Sequence, residues 1–246
     1  MAAVRARPAD AAVLLDFDGT LSPTVADPAA ARAAPGAAEA LDALVARGAA
    51  VGIVSGRPVE FLAPLLPATV AISGQYGLEL RAPGAAVRLT VDGAWRDAVA
   101  DASVRLGAGA PPGVLVEPKG LSITVHHRNA PEAAGWVRAR VAEVAAATGL
   151  EPHPAKASME LRPPAPFDKG TVVTDLAGDA ATVLYAGDDV GDLPAFAAVA
   201  RLRTAGRLAV AVAAAGPELP EPVRAAADAT VDGPPGVVDL LHRLLG

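Results

Sequence analysis

Apolar residues recur along this chain in two rhythms. Ala11 to Leu15 is an apolar run too short for a helix, cut off by Asp16-Phe17-Asp18-Gly19-Thr20, and it predicts a buried strand. Gly36 to Arg47 places Leu41, Leu44 and Val45 on one helical face and is stopped by Gly48. Ala50 to Val54 predicts a second strand, ending in Ser55-Gly56-Arg57-Pro58. Pro58 suits a helix start, with Phe61, Leu62 and Leu65 on its apolar side. Val70 to Ile72 predicts a third strand, ending in Ser73-Gly74-Gln75-Tyr76-Gly77. Strands alternating with helices imply a parallel sheet covered on both faces.

The rhythm then changes. Leu78 to Leu80 and Val87 to Val91 read as a hairpin around Ala82-Pro83-Gly84. Residues 94 to 107 are weakly helical, and Val114 to Glu117 and Ser122 to Arg128 are strands joined at Gly120. Pro131 to Thr148 is a helix with Val137, Val141 and Val144 on one face. Leu150 to His153 and Ser158 to Arg162 form another strand pair. This order predicts a separate antiparallel α+β unit, closed by Pro163-Pro164-Ala165-Pro166. The first rhythm resumes with a helix at Lys169 to Leu176 and a strand at Thr182 to Tyr185. A helix carrying Leu193 and Phe196, strands at Leu208 to Val212 and Thr230 to Val231, and a helix at Val237 to Leu245 follow. The expected fold is α/β: a Rossmann-like parallel-sheet core, residues 1–92 and 166–246, with an inserted α+β cap at 93–165.

Composition narrows the function. Of the 246 residues 52% are hydrophobic, ample for a core, and the net charge is −6 with no basic block, which argues against nucleic acid. There is no cysteine, so disulfides and thiolate metal sites are excluded. No apolar run approaches a membrane span, and the five apolar residues before Asp16 are too few for a signal peptide. A cytoplasmic monomer without membrane attachment is expected. Lysine occurs only at 119, 156 and 169, each in or beside a motif.

The chemistry gathers at predicted strand ends, where ligands bind in open parallel sheets. Asp16 and Asp18 end the first strand, Ser55 and Arg57 the second, and Asp188, Asp189 and Asp192 follow the strand at 182; a helix opens at Asp168-Lys169-Gly170. Two carboxylates about 4 Å apart repel by roughly 4 kcal/mol at an effective dielectric near 20. A cation must offset that, and hard oxygen ligands suit Mg2+. Any one motif alone is an ordinary turn, helix cap or solvated residue; four in order reverse that reading. Backbone amides at Asp18-Gly19 and at helix starts can cradle a phosphate.

Asp16-Phe17-Asp18-Gly19-Thr20, Ser55-Gly56-Arg57, Lys169 and Asp188-Asp189 resemble the four motifs of the haloacid dehalogenase-like phosphatases. Leu21-Ser22-Pro23 and Asp27-Pro28 narrow the resemblance to the trehalose-phosphate phosphatases. The resemblance implies Asp16 as nucleophile and Asp18 as general acid and base. It implies Mg2+ on Asp16, the Asp18 carbonyl and Asp188, with Asp189 and Asp192 close by and their contact with the metal open. Ser55 and Lys169 would hold the phosphoryl group, and Gly19 and Arg57 would bind the substrate. The chain departs from the family pattern at Tyr76 and at Gly191-Asp192-Leu193.

Side chains alternate across a strand, so Ser122, Thr124, His126 and Arg128 share one face and Ile123 and Val125 the other. Ser158, Glu160 and Arg162 likewise oppose Met159 and Leu161. The second unit therefore has a greasy face for its helices and a polar face, which solubility alone could also explain. Val116-Glu117-Pro118-Lys119-Gly120-Leu121-Ser122, His126-His127-Arg128 and Met159-Glu160-Leu161-Arg162-Pro163 are similar to the cap signatures of trehalose-phosphate phosphatases. The resemblance implies that Glu117, Lys119 and Glu160 contact sugar hydroxyls, with Ser122, His126 and Arg128 nearby; alternation favours His126 over His127. The expected substrate is trehalose 6-phosphate. The alternatives are sucrose phosphate, a mannosyl-phosphoglycerate, or a non-catalytic sugar-phosphate sensor.

Overall fold

The computed structural model describes residues 1–25, 27–155, 157–216 and 219–246; Lys156 lies outside the described residues. The first strands are β1 (Ala11–Leu15), β2 (Ala50–Val54), β3 (Ala71–Gly74), β4 (Glu79–Arg81) and β5 (Arg88–Leu89). Then come β6 (Leu115–Pro118), β7 (Ile123–His126), β8 (Glu151–Ala155) and β9 (Ser158–Arg162). The last are β10 (Thr182–Gly187), β11 (Leu208–Ala214) and β12 (Ala229–Val231). The helices are α1 (Ala2–Ala6), α2 (Ala37–Ala46), α3 (Val59–Leu62), α4 (Trp95–Gly107) and α5 (Ala134–Thr148). They continue with α6 (Lys169–Ala177), α7 (Leu193–Thr204), α8 (Glu221–Ala226) and α9 (Gly233–Leu245).

The chain divides into two compact units, Met1–Arg88 with Phe167–Gly246, and Leu89–Pro166. In the first, the sheet order is β12-β11-β10-β1-β2-β3-β4-β5. Its strands from β12 to β3 run parallel, and β4 is antiparallel to β3. Successive strands go one way from β1 and the other way from β10. The strand order therefore reverses between β1 and β10, where open α/β sheets bind ligands.

Alternation along β1 explains why one apolar run serves two cores. Val13 and Leu15 face a cluster with Leu41, Leu44, Ile53, Val237 and Leu241. Ala12 and Leu14 face another with Val172, Val173, Tyr185, Phe196 and Val199. Every residue of β1 is buried, as a strand covered by helices on both sides requires. Three helices differ from the pattern reading. The helix after Pro58 is one α turn that tightens into a 3-10 turn at Ala63–Leu65, because Pro64 lacks an N–H and crowds the preceding turn. The short helices α1 and α8 carry a single buried apolar residue each, Val4 and Val223, too little to register as a period.

The second unit is a four-stranded antiparallel sheet, β6-β7-β9-β8, with α4 and α5. Ile123, Val125 and Leu161 pack with Val99, Leu106, Val137, Val141 and Val144 in its own core. The register aligns Glu117 with Thr124, Thr124 with Glu160, and Glu160 with His153. One row of polar side chains thus crosses all four strands on the opposite face. Strand β7 stops at His126, and Arg128 is exposed in the turn beyond it.

Candidate active site

The carboxyl ends of β1 and β10 carry the acidic residues. The Asp16 N–H donates to the Ala186 carbonyl at 2.9 Å, which prolongs the β1–β10 ladder by one residue and fixes where the carboxylate emerges. Lys169, the first residue of α6, is set by a capping box between Asp168 and Thr171. Its Nζ donates to Asp16 Oδ1 at 2.8 Å and to Asp192 Oδ1 at 2.7 Å. All three side chains are buried.

Asp192 is the hub. Its Oδ1 also accepts from the Tyr185 hydroxyl at 2.6 Å, and its Oδ2 accepts from the Asp188 and Asp189 N–H groups at 2.9 and 3.1 Å. A side chain at Gly187 would put its Cβ 2.3 Å from Asp192 Cγ, so only glycine lets this carboxylate fold back onto the strand. Thr20 donates to Asp188 Oδ1 at 3.0 Å. Gly19 has φ +81°, and a Cβ there would meet Asp188 Oδ2 at 2.1 Å. The Gly19 N–H donates to the Ser22 carbonyl.

Burial dominates the electrostatics. It pushes the Asp16 carboxyl well above the usual carboxylate range; Lys169 opposes this, while Asp192, Asp188 and Asp189 add to it. Asp188 is pushed up to about 7, by burial first and then by Asp192 and Asp189. Asp189 is raised for the same main reason, with Lys169 opposing. For Lys169, burial favours the neutral amine, but Asp16 and Asp192 outweigh it and hold the group protonated. Burial and Asp192 raise the Tyr185 phenol, so it remains a donor. One ammonium does not neutralise this set of carboxylates.

That imbalance, and the donor set, suit a hard divalent cation. Asp16, Asp188 and Asp192 each offer a carboxylate oxygen within 4.8 Å of the others. The two Asp192 oxygens already accept four hydrogen bonds, so Asp16 and Asp188 are the better ligands and Asp192 the residue that orients them.

Two motif residues lie beside this cluster in other roles. Ser55 is buried at the end of β2, its Oγ accepting the Arg57 N–H at 3.1 Å. Arg57 forms a two-pronged pair with Asp18, Nε to Oδ2 at 2.6 Å and Nη2 to Oδ1 at 2.7 Å. The pattern reading missed Tyr185 and Thr20, whose hydroxyls orient Asp192 and Asp188. Thr20 stands inside the acidic motif, a usable signal; Tyr185 looks like any core aromatic of a strand.

In the second unit, His126 Nε2 donates to Glu117 Oε2 at 2.7 Å, and Lys119 Nζ lies 3.6 Å from the same oxygen. Glu160 is 5% exposed and lies beside the Ser122 hydroxyl, and Ser122 and Thr124 are buried with it. Burial raises the Glu160 carboxyl, against the pull of Lys119 and Arg162 and a hydrogen bond from Ser122. Glu117, Thr124, His126 and Glu160 share the polar face, whereas Arg128 lies past the strand end.

The fold is of the haloacid dehalogenase-like α/β type and carries an additional α+β unit. A profile described as trehalose-phosphatase matches residues 14–219, and the chain belongs to that family. It is similar to a trehalose-phosphate phosphatase of Mycolicibacterium paratuberculosis, 39% identical over 206 residues, which cover 76% of this chain and 51% of that protein. The chain spans about half the length of the curated relatives it matches. The crystal structure of a trehalose-6-phosphate phosphatase related protein superposes with a TM-score of 0.77 at 22% identity, over 95% of this chain and 96% of that one. The C-terminal domain of a Candida albicans trehalose-6-phosphate phosphatase gives 0.76 at 25% identity, over 96% and 92%. Among the described residues no helix is long and apolar enough to cross a membrane.

Proposed function

We propose that this protein hydrolyses trehalose 6-phosphate to trehalose and inorganic phosphate, with Asp16 as nucleophile. The observation that carries the reading is the buried Asp16 carboxylate at the switch point of the sheet, hydrogen-bonded by Lys169 and flanked by Asp188. An Asp16 oxygen attacks phosphorus. The bond from phosphorus to the sugar oxygen breaks, its electron pair staying on that oxygen, which takes a proton from Asp18. Water then attacks the acyl phosphate and gives a proton to Asp18. The bond from phosphorus to the Asp16 oxygen breaks, releasing phosphate and restoring the carboxylate. Lys169 and Ser55 hold the phosphoryl oxygens, with the Asp18 and Thr20 N–H groups beside them, the Gly19 N–H being taken by the Ser22 carbonyl. Asp16 and Asp188, with the Asp18 carbonyl, would hold Mg2+, which neutralises charge on the transferring group.

The second unit would supply sugar recognition. Glu160 offers a buried carboxylate, and Ser122 and Thr124 beside it offer hydroxyls that both donate and accept. A disaccharide presents hydroxyls of both kinds. Glu117, Lys119 and His126 complete this polar face, and Arg128 contributes from the turn.

The test is phosphate release from trehalose 6-phosphate, sucrose 6-phosphate, a mannosyl-phosphoglycerate and p-nitrophenyl phosphate, with Mg2+ and with chelator. We expect release confined among the sugars to trehalose 6-phosphate, and lost in Asp16→Asn. Glu160→Ala should raise KM for the disaccharide ester at least about tenfold, as loss of a buried polar partner does. It should leave p-nitrophenyl phosphate within about twofold. Turnover of another sugar ester refutes the substrate, and full activity in Asp16→Asn refutes the mechanism.

A further inference from the structure

The motif arginine is engaged in a way that phosphate binding does not explain. Nε and Nη2 of Arg57 both point at the Asp18 carboxylate, at 2.6 and 2.7 Å. Nη1 donates to the Pro28 carbonyl at 2.7 Å. The guanidinium plane lies 4.2 Å from the centre of the Phe61 ring. Its two-pronged edge, the part of an arginine that reads phosphate, is therefore spent on Asp18. The Arg57 side chain is 17% exposed and Asp18 40%, so the clamp faces inward and the carboxylate reaches the solvent side.

The backbone behind Arg57 is braced as firmly. The Gln75 N–H donates to the Arg57 carbonyl and the Tyr76 N–H to the Ser55 carbonyl, both at 3.0 Å. Gln75 and Tyr76 adopt φ of 48° and 57°, left-handed values that residues other than glycine hold only where the surroundings impose them. Glu79 imposes them here: its carboxylate accepts from Gln75 Nε2 at 2.8 Å and from the Val59 N–H at 2.7 Å. A Cβ at Gly56 would fall 2.7 Å from the Tyr76 ring, so the arginine loop lies flat against that side chain. A strained turn is held in place so that it holds the Ser55–Arg57 loop in turn.

We propose that Arg57 is a positioning residue, fixing the direction of the Asp18 carboxylate for proton transfer to the leaving oxygen and from the attacking water. This rests on the phosphatase reading above. A carboxylate has about four acceptor sites, and the clamp uses two, leaving two for the reacting proton. Without the clamp, Asp18 is a short exposed side chain free among its rotamers. The first chemical step then suffers in proportion to how much the leaving group needs a proton, and the hydrolysis of the acyl phosphate suffers for every substrate.

The experiment is a double-mutant cycle on Asp18→Ala and Arg57→Ala, run with trehalose 6-phosphate and p-nitrophenyl phosphate under saturating Mg2+. For Arg57→Ala we expect kcat on the sugar ester to fall about 100-fold, at the lower end of what acid–base catalysis supplies, with KM within about threefold. On p-nitrophenyl phosphate, whose phenolate leaves unassisted, the variant should show a rapid burst of phenolate followed by a slow steady state. In the Asp18→Ala background, removing Arg57 should cost less than about twofold, since it acts through Asp18. An equal rise of KM for both esters, repeated in the Asp18→Ala background, would overturn the proposal and make Arg57 a phosphate ligand. Should Arg57→Ala fail to fold, Arg57→Gln carries the same cycle and the same two outcomes. Failure of wild type to release phosphate from either ester would sink the phosphatase reading itself, and this inference with it.

Discussion

Replacing Asp192 by Asn changes shape least and chemistry most. The carboxylate accepts four hydrogen bonds, from Lys169, Tyr185 and the N–H groups of Asp188 and Asp189. An amide keeps one acceptor oxygen and turns the other into a donor. Lys169, with no acceptor of its own, forces the amide oxygen to its side. The NH2 then faces the two backbone N–H groups, each left unpaired at about 1–3 kcal/mol. Lys169 also loses one of its two charged partners, and breaking a buried ion pair costs about 3–5 kcal/mol. These overlap, and one opposing effect is real: removing a carboxylate relieves Asp16 and Asp188, which its charge raises. We take about 3 kcal/mol as the net loss. For a chain of this size that is about 6–12 °C in Tm, read by thermal melting with and without Mg2+. Activity should fall as well, since Asp188 and Lys169 lose their common support. A Tm within about 2 °C of wild type would refute the hub role. A rise would mean that charge repulsion, not hydrogen bonding, is what Asp192 mainly contributes.

The remaining predictions concern Asp188 and Gly19. Asp188 titrates near 7 in the folded chain against 3.8 as the reference, so the folded state keeps a proton that the unfolded state releases. Stability of the metal-free protein therefore falls as pH rises from about 4 to about 7, by at most on the order of 4 kcal/mol. A cation that binds the ionised carboxylate competes with that proton. Stabilisation by Mg2+ should be small at pH 5 and full above about pH 8; a Tm shift independent of pH contradicts this. Gly19→Ala would drive a Cβ to 2.1 Å from Asp188 Oδ2 at a φ of +81°. It should lower Tm and cut phosphate release at least about 100-fold, because a displacement of about 1 Å at a reacting centre costs that much. An active, stable Gly19→Ala would show that the turn relaxes.

Much of the core was legible because its signals are local. Ala11–Leu15, Ala50–Val54 and Ser158–Arg162 emerge with the bounds that the apolar pattern marks. Strands at 182 and 208 run two residues longer than their apolar runs, to Gly187 and Ala214, because pairing carries the backbone through small residues that hydropathy does not flag. Arg128 follows the alternation of its strand in sequence, yet β7 ends at His126, where the chain turns away from β9.

The sequence by itself determined which residues could do chemistry and that they stand at strand ends and a helix start. Periodicity, turn residues and motif spacing are properties of neighbouring residues, and they survive without a fold. Partnership was decided only by the tertiary structure. Thr20 meets Asp188 and Lys169 meets Asp16 because β10 and α6 return beside β1, across more than 150 intervening positions. The same return turns Asp192 inward to four donors while Asp189 caps the next turn, a difference that adjacent acidic residues do not carry in their spelling. Arg57 is written in the chain as a strand-end cation. That its edge closes on Asp18 rather than remaining open follows from β1 and β2 being neighbours, with Pro28 and Phe61 closing around the guanidinium.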